Sequence, residues 1–136
     1  MNANEILNNF KEEFKVQSGC EISSYLGSNN IIKVKGKINC ILYIKVAANE
    51  SKKAFWGIRA NKLNELKNEK LPGIVILLLN KSSFGYIVKL HTIDKLISNY
   101  TWTEAQGDYK VNGIYGIEDG NFSSLNQLLI KLENTI

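Results

Sequence analysis

The side chains most able to do chemistry cluster in one short stretch. Phe55-Trp56-Gly57-Ile58-Arg59 carries the only arginine of the chain, with Lys52, Lys53 and Lys62 nearby. A guanidinium is a planar fork that suits bidentate phosphate or carboxylate recognition, which an ammonium does not match. An indole beside it could stack on a nucleobase. The competing reading is structural: large aromatics ahead of a helix usually fill a core, and Arg59 would cap the helix or pair with an acid such as Glu65. Phe55 is expected inside on these grounds, and for Trp56 both readings stay open.

The charge distribution extends this focus. The chain of 136 residues has 17 Lys and Arg against 13 Asp and Glu, net +4. Between Lys33 and Lys62 stand eight cations (Lys33, Lys35, Lys37, Lys45, Lys52, Lys53, Arg59 and Lys62) and one acid, Glu50, so that window carries +7. The remainder is net −3. A basic block on a near-neutral body fits a polyanion or an acidic partner. Lysines scattered over solvated strands, in a chain rich in Asn, Lys and Ile, are the plainer explanation.

Other chemistries have little support. Cys20, Cys40 and the lone His91 provide no Cys-x-x-Cys pair and no histidine pair, which argues against a closed zinc site. Cys40 reads as a small core residue. His91, at a strand-to-helix junction with Asp94 three residues on, has no positioned Ser or Cys nucleophile. No glycine-rich nucleotide cradle is present, and no metal or cofactor is expected. Met1-Asn2-Ala3-Asn4-Glu5 has no basic region followed by an apolar stretch, so no signal peptide is expected, and the longest apolar run, Ile74 to Leu79, is too short to cross a bilayer. The expectation is a cytoplasmic protein with reduced thiols and no membrane contact.

The elements that must position these groups follow from periodicity. Residues 4–16 read as a helix with Leu7, Phe10 and Phe14 inward, Asn4 as its cap and Gly19 as its stop. Residues 31–35 and 38–46 read as antiparallel strands around Gly36. In the second, Ile38, Cys40, Leu42, Ile44 and Val46 share one face, while Asn39, Ile41, Tyr43, Lys45 and Ala47 share the other, more polar one. Residues 49–57 read as a loop and 59–69 as a helix ended by Leu71-Pro72-Gly73. The unbroken run Ile74 to Leu79 suggests a strand covered on both faces. Strand 38–46, helix 59–69 and strand 74–79 then form a right-handed βαβ crossover. Phe84 to Leu90 alternates as a further strand, and Thr92 caps a short helix. Asn112-Gly113 is expected to join Tyr109–Val111 to Ile114–Ile117 as a hairpin. Ser124-x-x-Gln127 opens a last helix with Leu125, Leu128, Leu129 and Leu132 inward. The result is one α/β domain over 1–136, a mixed central sheet flanked by helices in the order α-β-β-α-β-β-α-β-β-α.

That order, with Lys45 in Leu42-Tyr43-Ile44-Lys45-Val46 just before the crossover helix, resembles the core of restriction-endonuclease-like PD-(D/E)XK domains over roughly residues 4–90. The resemblance implies a nuclease-like fold with Lys45 at the position of the family's lysine. Tyr43 stands where the family keeps a metal-binding acid, and no Asp or Glu occurs between Glu21 and Glu50. Magnesium chemistry needs hard oxygen ligands, so the site is expected to have lost its metal. Asp108-Tyr109-Lys110, with Glu104 upstream, is another acid-x-Lys triplet, but it lies on a short hairpin arm and is weighed as a decoy.

Three functions compete. The leading one is a non-catalytic, nuclease-like module that binds DNA or RNA through Lys33, Lys35, Lys45, Lys52, Lys53, Trp56, Arg59 and Lys62. The second is an immunity- or antitoxin-type inhibitor that binds an acidic protein partner. The third is a divergent metal-dependent nuclease whose acids have migrated, with Glu13, Glu21 and Glu50 as candidates.

Overall fold

The computed structural model describes residues 2–47 and 54–136. Helix α1 (Ala3–Ser18) is capped by Asn2 rather than Asn4: the Asn2 side chain accepts the Glu5 backbone N–H at 2.9 Å. Gly19, at φ 69°, ends the helix in the left-handed region. Strand β1 (Glu21–Tyr25), not expected from the pattern, forms a hairpin with β2 (Ser28–Lys35). Its two-residue turn, Leu26-Gly27, has positive φ at both positions, the geometry that matches strand twist.

Strand β3 (Cys40–Ala47) pairs antiparallel with β2 and parallel with β5 (Gly73–Lys81). Between them lie β4 (Phe55–Arg59) and α2 (Ala60–Lys67). The crossover is therefore present, but the segment expected to be loop ends in a strand. Strand β6 (Phe84–Lys89) follows β5, then α3 (Leu90–Ser98), β7 (Thr103–Ala105), β8 (Asp108–Asn112), a 3-10 turn at Glu118–Gly120, β9 (Asn121–Phe122) and α4 (Leu125–Thr135). Helix α3 begins two residues before Thr92, behind Lys89, with no side-chain cap. In α4 the expected cap holds: Ser124 Oγ accepts the Gln127 N–H at 3.1 Å.

The expected Asn112-Gly113 hairpin is a correction. Gly113 does turn with φ 74°, but residues 114–117 form no strand. Strand β8 instead pairs backward with β7 across Gln106-Gly107, both at positive φ, and on its other side with β4.

The protein is thus mixed α/β. A mixed six-stranded sheet, ordered β1-β2-β3-β5-β6-β9, is flanked by helices, and a second sheet, β4-β8-β7, lies against it. The alternation of β3 decides the layering. Cys40, Leu42 and Ile44 meet Phe10 and Phe14 of α1 and Leu128 and Leu132 of α4. Ile41, Tyr43 and Ala47 face the other way, into a core with Trp56 and Ile58 of β4, Leu63 and Leu66 of α2, and Ile93 and Leu96 of α3. The face read as half-open is therefore covered, and β3 is a central strand. Among the described residues no helix is long and apolar enough to cross a membrane.

Candidate nucleic-acid interface

The covered face of β3 ends in a polar group of four residues. Tyr43 is buried, and its Oη accepts the backbone N–H of Arg59 at 3.1 Å, fixing the start of α2 onto β3. Two residues further along the same face stands Lys45, half-buried. Arg59 lies opposite Asp108 in the β4–β8 register, and the charges of both act on Tyr43 and on Lys45. Three segments far apart in sequence, β3, β4 and β8, thus come together near the lysine that the sequence singled out.

The electrostatics follow from burial. Desolvation lowers the Lys45 pKa below the usual lysine value; the Asp108 charge partly restores it, and the Arg59 charge lowers it further. Burial raises the Tyr43 pKa, the N–H from Arg59 opposes that rise, and Asp108 adds to it. Tyr43 is therefore a neutral phenol at neutral pH and no substitute for an anionic metal ligand. Asp108 Oδ1 is buried and accepts no hydrogen bond among the described residues. Among the described residues no three His, Cys, Asp or Glu side chains converge to hold a metal ion. The group is two cations and one carboxylate around a phenol, which can hold an anion of single charge such as a phosphodiester.

The remaining expected residues divide. Lys33 and Lys35 are in step with Ile31 and alternate with Ile32 and Val34, so they share the Tyr43 side of the sheet. Lys33 Nζ lies 5.0 Å over the Tyr25 ring, and Lys35 is exposed opposite Glu21. Lys62 Nζ donates to the Leu26 carbonyl at 2.8 Å and pairs with Glu65 at 3.2 Å, so it ties α2 to the β1–β2 turn. Glu65 is thereby the partner of Lys62, not of Arg59. Lys37 pairs with Glu133 of α4, on the opposite side of the sheet. Lys52 and Lys53, like the candidate acid Glu50, lie outside the described residues.

Trp56 is a correction. It is 1% exposed, and its Nε1 donates to the Leu78 carbonyl at 3.0 Å. No base can stack on it. The strand character of β4 is the reason: alternation turns Trp56 and Ile58 inward and Phe55, Gly57 and Arg59 outward. Phe55, expected inside, is 46% exposed. Asp108 was legible as half of an acid-x-Lys triplet; what the sequence lacked was the long-range pairing of β8 with β4 that carries it to Lys45.

No protein-family model matches this chain, and no curated protein matches it significantly.

Proposed function

We propose that the protein is a non-catalytic nucleic-acid-binding module with a restriction-endonuclease-like core. Arg59 and Lys45 contact phosphate, and Lys33 and Lys35 extend the electrostatic footprint. One observation carries this reading: Arg59 is tied to β3 through its backbone N–H on Tyr43 Oη, two residues from Lys45, and the charges of Arg59 and its register partner Asp108 both act on Lys45. The Arg59 side chain is exposed and forms no ion pair among the described residues, which leaves its fork available for phosphate. The β3–α2–β5 crossover, with Lys45 near the end of its first strand, supports the architectural likeness. A neutral Tyr43 in place of an acid supports binding without cleavage.

The test is a titration of fluorescein-labelled single-stranded and duplex oligonucleotides with the full chain, at low and moderate salt. Binding that weakens steeply with salt is expected, and Lys45→Met with Arg59→Gln should reduce the log–log salt slope by about 1–2. No binding at either salt refutes the reading. Magnesium-dependent cleavage that requires Lys45 overturns its non-catalytic half.

A further inference from the structure

The outward face of the second sheet sets further residues beside the Arg59 already assigned to phosphate, and the core does not explain them. Phe55, Gly57 and Arg59 of β4 alternate along this face, beside Lys110 and Asp108 of β8. Trp56, Ile58 and Val111 point the other way, into the core. Phe55 is 46% exposed and presents its ring on that face. Lys110 Nζ stands 5.9 Å from the Phe55 ring centroid, so the ring already has a cation at its side.

Gly57 is the second independent observation. It occupies the middle of the strand, and glycine there costs about 0.5–1 kcal/mol relative to alanine. Nothing in the fold demands it. Its φ lies outside the left-handed region, and an added Cβ would meet only Asp108 Oδ2, at 3.9 Å, an ordinary contact. A glycine inside a strand often marks a bulge, a bend or a place where a ligand or another backbone comes close, and β4 pairs with β8 here without a register shift. Here it leaves the backbone bare between Phe55 and Arg59 along the strand, with Lys110 directly opposite in register and the Asp108 carboxylate at its side.

We propose that this face is a platform for single-stranded nucleic acid: one unpaired base stacks on Phe55, the sugar crosses the strand at Gly57, and Arg59 and Lys110 take the flanking phosphates. The inference rests on the nucleic-acid reading above and adds to it the strandedness of the ligand. Paired bases in a duplex offer no free π-face, so a duplex engages only the cations. Stacking tolerates any base, so the platform reads a single strand without strong sequence preference.

The experiment compares a fluorescein-labelled oligothymidylate with a blunt-ended duplex of the same length, using the full chain. The wild type should bind the single strand about tenfold more tightly than the duplex. Phe55→Ala should remove about tenfold from single-strand affinity and leave duplex affinity unchanged. Gly57→Val, a residue at home in a strand, should fold with an unchanged or higher Tm and still lose single-strand binding. Should Gly57→Val fail to fold, Phe55→Ala decides alone. Equal affinity for both probes, or salt-sensitive binding indifferent to both substitutions, overturns the platform and leaves the phosphate-binding reading standing. Absence of binding to both probes removes that reading itself.

Discussion

Replacing Trp56 with phenylalanine separates a core role from a ligand role. The Trp56 indole bridges the two sheets, and its Nε1 supplies the Leu78 carbonyl with a hydrogen bond of 3.0 Å. That carbonyl sits where the β5–β6 register shifts, between Leu78 and Lys81, with Asn80 at φ 61°. The phenyl ring cannot donate, so a buried carbonyl loses its partner, at about 1–3 kcal/mol. The smaller ring also leaves a void against Tyr86, whose ring is 6.3 Å away, and this adds about 1 kcal/mol. The total of about 2–4 kcal/mol is a large part of the stability of a domain this size. It corresponds to a fall in Tm of roughly 10 °C, read by circular dichroism. Oligonucleotide affinity, measured well below the new Tm, should be unchanged. A variant that melts within about 2 °C of the wild type but loses binding would refute the core assignment.

Three further outcomes follow from the same geometry. Lys45→Met, which keeps the apolar stem and removes a half-buried charge, should match or exceed the wild type in Tm at neutral pH. Because burial holds the native Lys45 pKa below its unfolded value, the wild type gains stability as pH rises from the native pKa to the unfolded one, near 10.5. The advantage of Lys45→Met should therefore shrink over that interval in paired melts, and an advantage that grows would contradict the sign. Gly85→Ala would drive a Cβ into the Leu77 carbonyl oxygen, so we expect a loss of about 1–3 kcal/mol or more in urea titrations, and a neutral result would mean that β5 and β6 are not held this close. Burial pushes the Cys40 thiol up to about 12, so it should resist thiol reagents at pH 8 in the native state and react promptly in denaturant.

The fold was legible where local pattern and tertiary burial agree. The alternation of 38–46, the apolar run 74–79 and the Ser124–Gln127 cap each name their element because the same residues decide both local geometry and packing. The failures have a common cause. Glu21–Tyr25 and Phe55–Arg59 are short strands whose residues do not spell strand until a partner is supplied. Asn112-Gly113 dictates a turn but not which strands it serves, and Gln106-Gly107 took the hairpin. The candidate site shows the same limit. Lys45 and Arg59 could be picked by type, whereas Asp108 becomes relevant only through non-local pairing, and Phe55 and Trp56 exchange roles once β4 is a strand rather than a loop.

The placement of Trp56 and Trp102, the two indoles of the chain, has a practical consequence. Both are buried in the core between the main sheet and the β4-β8-β7 layer, and neither touches the α1/α4 side. Intrinsic emission therefore reports on one half of the molecule. Solvent entry between the two sheets shifts the spectrum to the red while α1 and α4 still cover the opposite face. A mismatch between emission and ellipticity during unfolding would mark the smaller sheet as the layer that detaches first.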